Sequence, residues 1–239
     1  CAVAGGDPVK ARMNNREWQE IQRVLAGGSG DCGILGSLAP FGLWSNGALT
    51  AEAVSLFKGF AERTGRVTVH RRNRFETEAC QAWFGQSRAG TIMIDDGEGL
   101  IFQECRPGAF PMLLLPFLRI DPLPLAKADV AAVKSRPVTS LLADAEVEGE
   151  DERLADSLRE AAPDVSRAVI DGDWLLWSVA VTELRESSPR TSDALVVLVT
   201  PGGFLGFLPH ASDPDALIAM PLRSATIWEA LTQMIAPAC

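Results

Sequence analysis

The stretch that decides the fold is Thr91-Ile-Met-Ile-Asp-Asp-Gly-Glu-Gly-Leu-Ile-Phe102, in which two apolar runs flank a glycine-containing turn. A second stretch has the same form: Leu195-Val-Val-Leu-Val-Thr-Pro-Gly-Gly-Phe-Leu-Gly-Phe207. Such closely spaced apolar runs are typical of antiparallel hairpins. In each half of the chain, a helix and a Trp-bearing strand precede the hairpin and an apolar helix follows it. The sequence therefore predicts an α+β fold, a mostly antiparallel sheet with flanking helices, in two quasi-repeated halves related by a pseudo-twofold axis.

The halves are expected to form one compact domain and to bury Trp83 together with Trp174 or Trp177. Composition divides the chain into a flexible leader (1–13), an N-terminal half (14–140), an acidic linker (141–152) and a C-terminal half (153–239). The linker assignment depends on crowded carboxylates, because like charges at this density keep a segment solvated.

Helices and strands are predicted from apolar period and capping residues. Helices are expected over 14–26 (capped by Asn14 or Asn15), from Thr50 towards Gly65, from 109 onward, over 151–162 ending at Pro163, and from Ser224, with Thr226 and Glu229 at capping-box spacing. Strands are expected over 67–69, 75–83, 90–94, 100–104, 174–184, 195–199 and 204–208.

Charge argues against nucleic acid as a partner, and hydropathy argues against a membrane-spanning helix. The net charge is −9, whereas nucleic-acid binding requires a basic surface, so nucleic acid is not expected as a partner. The most apolar run, 109–118, contains Pro111 and Pro116 and is too short to cross a bilayer as a helix, so no membrane span is expected.

Groups that move protons or hold metals are sparse, which predicts a protein that is not an enzyme and holds no metal or cofactor. Only two histidines occur, His70 and His210, and both are interpreted as surface or loop residues. Gly28, Gly30 and Gly33 follow a helix rather than a strand, which favours a flexible loop over a dinucleotide site. The run 95–98 is explained by a tight turn and lacks the ligand spacing of a calcium loop.

Five cysteines without a CxxC pair favour free thiols in a reducing cytoplasm. Cys1 leaves an alternative open, because a mature lipoprotein begins with a lipidated cysteine. In that case the protein would be lipid-anchored at the cell surface, where it would bind a ligand or protein partner.

A cluster of arginines is the one concentrated basic feature: Arg63, Arg66, Arg71, Arg72 and Arg74. One interpretation is a solvated guard on an edge strand, which blocks sheet-to-sheet aggregation. The other is a docking surface for an acidic partner. As exposed residues, Arg71 and Arg72 should tolerate charge reversal with a stability loss of no more than ~1 kcal/mol, while partner capture is weakened.

The order of elements from about Leu43 to Ile235 resembles the EspG family of type VII (ESX) secretion-associated chaperones. The resemblance is carried by Leu43-Trp-Ser-Asn-Gly-Ala-Leu-Thr-Ala-Glu-Ala, the strand Val67-Thr-Val-His, the two hairpins, the acidic crossing near 144–160 and the C-terminal helix. The stretch before Leu43 departs from the family pattern, since it is shorter and richer in glycine.

This resemblance implies a mixed α/β fold with quasi-twofold halves and a non-catalytic cytoplasmic chaperone. Such a protein would bind the apolar helical tip of PE–PPE-type secretion substrates, keep it soluble and deliver it to the secretion system. Candidate partner-binding residues follow from location alone: Arg71, Arg72, Phe75, Trp228 and Leu231. An immunity or adaptor protein, or an enzyme of unfamiliar type, stays an alternative.

Overall fold

A ten-stranded sheet, antiparallel at every pairing, runs through the computed structural model, which describes residues 10–87, 89–143, 149–184 and 189–236. Its strands are β1 (Lys10–Met13), β4 (Arg63–Arg72), β5 (Thr77–Gly85), β6 (Gly90–Asp95), β7 (Leu100–Cys105), β8 (Ala131–Lys134), β9 (Leu175–Leu184), β10 (Pro189–Thr200), β11 (Gly203–Pro209) and β12 (Ala216–Leu222). A separate small hairpin joins β2 (Trp44–Ser45) to β3 (Ala48–Leu49). The predicted α+β class with a mostly antiparallel sheet is confirmed.

The strand order is β1-β7-β6-β5-β4-β9-β10-β11-β12-β8. On each side of the central β4–β9 pair, a four-stranded meander runs outward and ends against a strand that precedes it in the chain. The strands of the large sheet therefore follow the same order in both halves. A pseudo-twofold rotation that relates their coordinates stays a prediction.

Helices cover both faces of this sheet. They are α1 (Asn15–Leu25), α2 (Cys32–Leu35), α3 (Ala51–Leu56), α4 (Lys58–Ala61), α5 (Phe110–Leu118), α6 (Ser135–Leu142), α7 (Glu150–Leu158), α8 (Pro163–Asp171) and α9 (Ser224–Ile235), with two 3-10 turns over 36–41 and 107–109. Within the described ranges, no helix is long and apolar enough to span a bilayer.

Alternation along the strands sorts the core into three clusters. Val67, Val69 and Trp177 belong to a cluster that spans both halves and packs beneath α5 and α9. The opposite face carries one cluster under α1–α4, which contains Trp83, and another under α6–α8, which contains Trp174. All three tryptophans are buried, but Trp83 shares a cluster with neither Trp174 nor Trp177.

Local capping explains where the first helices begin. Asn14 accepts hydrogen bonds from the backbone of Arg16 and Glu17, and the Glu17 carboxylate accepts one from the Asn14 backbone, which completes a capping box. Thr50 caps α3 as predicted. The predicted capping box at Thr226 and Glu229 is wrong, because α9 already begins at Ser224 and its N-cap, Arg223, makes no side-chain cap bond.

The leader prediction is wrong for residues 10–13, which form the edge strand β1. Ala11 and Met13 are buried against the helical layer, while Arg12 pairs with Asp96 in the turn between β6 and β7. Desolvation raises the pKa of Asp96, but hydrogen bonds from the Glu98 and Gly99 backbone and from Arg12 outweigh it, so this pKa lies below its ordinary value. A short alternating segment gives too weak an apolar period to be recognised without its partner strand.

Residues 131–142 contain β8 and α6 and pack with C-terminal elements, whereas the sequence places 131–140 in the N-terminal half and 141–142 in the acidic linker. Pairing of β8 with β12 and the contact of Val138 and Leu141 with the α7–α8 cluster explain this placement. Of the predicted acidic linker, 144–148 lies outside the described residues, as does Cys1, whereas Glu150 is fully buried at the start of α7. The sequence predicts that Pro163 ends a helix, but Pro163 is the first residue of α8, where its missing N–H costs nothing.

Cys80 and Cys105 are buried cysteines, while Cys32 is exposed. Burial, together with the charge that an ionised Cys105 would carry, raises the pKa of Cys80 to about 12. The unfolded chain, with an ordinary thiol pKa of 9.0, therefore loses this proton before the folded chain does.

We expect stability to fall as pH rises from 9 towards 12, because only the unfolded state releases the Cys80 proton in that window. The slope contributed by this thiol should approach about 1.4 kcal/mol per pH unit in urea unfolding. The chain contains no tyrosine, so no phenol titrates there. Cys80→Ala should reduce the slope while Cys32→Ala leaves it unchanged, and an unaltered slope in Cys80→Ala would contradict this assignment.

Candidate partner-binding surface

The arginine cluster lies on β4 and the turn that follows it, and β4 is an inner strand paired with both β5 and β9. The interpretation of these residues as an edge-strand guard is therefore wrong. The true edges of the sheet are β1 and β8.

Four of these arginines instead reach the carboxyl ends of helices. Arg63 donates to the Phe60 carbonyl at the end of α4 (2.8 Å) and lies over the Phe60 ring. The carbonyls of Phe117 in α5 and Leu141 in α6 accept from Arg71 (2.6 Å) and Arg72 (3.5 Å). Gly172 ends α8 with a positive φ, and the Arg74 side chain packs against it. A Cβ atom added at Gly172 would lie only 2.8 Å from Arg74 Cδ. Cations are favourable at these ends because helix C-termini carry partial negative charge.

Arg71 makes the densest set of contacts. It forms an ion pair with Glu78 across the β4–β5 hairpin, and its guanidinium carbon lies 4.2 Å from the centre of the Phe117 ring. Its side chain is only 19% exposed. The expectation that this side chain is exposed is wrong.

Phe75 projects from the tip of the β4–β5 hairpin and is 87% exposed. Asn73 fixes the turn below it: its Oδ1 accepts from the backbone N–H of Phe75 (2.7 Å) and Glu76 (3.0 Å), and its Nδ2 donates to the Glu76 carboxylate (2.9 Å). An aromatic ring is thus held out into solvent on an ordered turn.

The carboxyl end of α5 lies beside this hairpin through the Arg71–Phe117 contact. Its sequence, Phe-Pro-Met-Leu-Leu-Leu-Pro-Phe-Leu, is apolar all round, so burying one side leaves Met112 (57%) and Leu113 (42%) exposed on the other. We define the tip surface as Phe75 together with Met112 and Leu113 of α5 and Phe117, the α5 residue that contacts the hairpin through Arg71. Large exposed apolar side chains such as Phe75, Met112 and Leu113 are candidates for an interaction site.

The other predicted site residues do not join this surface. Leu231 is fully buried in the shared core beneath α9, where it packs rather than contacts a partner. Trp228 is half-buried one turn earlier on the same helix. Arg72 is half-buried and points to the opposite sheet face from Arg71, as alternation along β4 requires.

A cleft of about 510 Å³ lies next to the hairpin, between the β6–β7 turn and the end of α6. His70, Thr77, Glu78 and Asp95 supply its polar lining. Within the described part of the chain, no three His, Cys, Asp or Glu side chains converge as a metal site.

Phe75 and the arginines were candidates from the sequence, but the contacts that hold these side chains in place were not predicted. The Asn73-x-x-Glu76 spacing was a readable sign of an ordered turn. The exposed side of α5 could not be predicted, because the sequence of an all-apolar helix does not indicate which residues pack into the core and which stay exposed.

Neither a family model nor a curated protein matches this chain.

We predict that Arg71→Glu lowers the free energy of unfolding by about 2 to 3 kcal/mol, because it places two carboxylates together in a half-buried site. Urea denaturation measures the change. Arg159→Glu, which breaks an exposed α7 pair with Asp156, serves as the matched control and should change stability by less than about 0.5 kcal/mol. The double variant Arg71→Glu/Glu78→Arg should recover part of the lost stability. Equal losses in Arg71→Glu and in the control would show that the contacts of Arg71 do not stabilise the hairpin.

Proposed function

We propose that this protein is a non-catalytic cytoplasmic chaperone or adaptor, similar to the EspG family, that binds PE–PPE-type helical secretion substrates and hands them to a type VII secretion system. The observation that carries the proposal is the tip surface: Phe75 is exposed on an ordered turn, and α5, which contacts the same hairpin through Arg71 and Phe117, exposes Met112 and Leu113. The resemblance in element order supplies the class of partner.

The chemistry of the tip surface suits a helical apolar partner. A helix with exposed apolar side chains self-associates in water, and covering those side chains removes the tendency. Phe75 can insert between such side chains as an anchor, while Met112 offers an unbranched side chain that adapts to partners of different shape.

Bracing of the hairpin matters for affinity as well as for stability. A loop that becomes ordered only on binding loses conformational entropy at that step. Here the Asn73 hydrogen bonds and the arginine contacts with α5 and α6 order the tip before a partner arrives. The arginines therefore act as positioning residues for Phe75.

Co-purification from the native cell, followed by identification of the recovered proteins, tests this function. Recovery of helical PE–PPE-type proteins is the expected result, and recovery of only unrelated proteins would contradict it.

Phe75→Ser should reduce the recovered partner at least about tenfold, since truncating an anchoring aromatic removes 2 kcal/mol or more of binding energy. Its thermal stability should stay close to that of the parent chain because the side chain is exposed. Phe41→Ser is the matched control, because Phe41 is also an exposed phenylalanine (63%) but lies in the helical layer of the N-terminal half. Equal recovery with both variants would remove the tip from the binding surface.

A further inference from the structure

A second groove, of about 630 Å³, lies at the opposite end of α6 from the tip surface. It runs beside β8 and is closed on its other side by α7. Among the described residues, β8 is the last strand of the sheet and pairs only with β12, and three of its four residues, Ala132, Val133 and Lys134, line the groove. A strand of four residues presents about 13 Å of backbone.

The groove carries more positive than negative charge, in contrast to the chain as a whole, which has a net charge of −9. Lys134, Arg136 and Arg153 line it together with Glu150 and Asp156. The Arg136 and Arg153 side chains remain 77% and 57% exposed. Asp156 is already paired with Arg159, so its charge is partly compensated.

The Glu150 carboxylate pairs with both Arg136 and Arg153. Its side chain is fully buried, and its Oε1 accepts from Arg153 Nη1 at 2.5 Å and lies 3.6 Å from Arg136 Nε. Its second oxygen, Oε2, is buried and has no hydrogen-bond partner within the described ranges. A buried carboxylate oxygen without a donor is costly, and a donor arriving through the groove would remove that cost.

We propose that this groove binds an extended acidic peptide segment of a partner protein, which adds to β8 as an eleventh strand. Backbone hydrogen bonds to the open strand edge would supply register, and Lys134, Arg136 and Arg153 would select carboxylate side chains. A donor of the peptide would satisfy Glu150 Oε2. This site is separate from the tip surface and does not depend on its function.

Fluorescence anisotropy with the full chain tests the proposal. The probe is a labelled eight-residue peptide of alternating valine and glutamate, a pattern that suits a strand with one charged side. Saturable binding below millimolar concentration is expected. Absence of binding at 1 mM, or equal binding of the matched valine–lysine peptide, would overturn the proposal.

A second peptide distinguishes strand addition from simple charge attraction. It has the same acidic sequence, but every backbone nitrogen is methylated, so it keeps every carboxylate and has no backbone hydrogen-bond donor. We expect its affinity to fall at least about tenfold, as for the loss of more than one hydrogen bond. Equal affinity of the methylated peptide would show that the groove is only an anion site and would overturn strand addition.

Two protein variants locate the site. Arg136→Glu should weaken binding at least about tenfold, and Lys134→Glu, whose side chain does not contact Glu150, should weaken it severalfold without a change in fold. Arg167→Glu is the matched control, because it makes the same charge change on an exposed position of α8 and should alter affinity less than about twofold. Equal effects of Lys134→Glu and Arg167→Glu would place the peptide elsewhere.

Discussion

The pairing of β4 with β9 is the constraint on which the rest of the structure depends. Its register, from Gly65 opposite Glu183 to Arg72 opposite Leu176, joins two five-stranded sheets into one. It places the valines of both strands on the face shared by α5 and α9. A slip by one residue would turn every one of these side chains towards the other face, so burial fixes the register strongly.

The same pairing determines what the arginines do. Once β4 is an inner strand, its charged end cannot guard an edge and lies instead among the helix termini that surround the sheet. Favourable interaction with those termini keeps Arg71 and Arg72 in place, and their contacts with α5 and α6 fix the direction of the hairpin. A packing requirement of the fold thereby leaves Phe75 as the exposed apolar residue of the turn over 73–76.

Features set by local sequence were predictable, and features set by distant pairing were not. The Asn14 cap, the Thr50 cap and the two glycine-turn hairpins depend on residues close together in the chain. The strand β1 and the membership of β8 depend on partners far along the chain, and a four-residue segment carries too little period to reveal them. The candidate site divides in the same way: the polar run 70–74 indicated a turn before Phe75, whereas burial of Leu231 and Glu150 depends on how helices pack.

The central claim is that Phe75 on its braced turn is where a helical partner binds. The most direct measurement replaces Phe75 with a photo-crosslinking phenylalanine analogue in the native cell and identifies the adducts formed under light. We expect a covalent adduct with a PE–PPE-type helical protein from position 75 and none from the same analogue at Phe41. No adduct from position 75, or the same adduct from both positions, would contradict it.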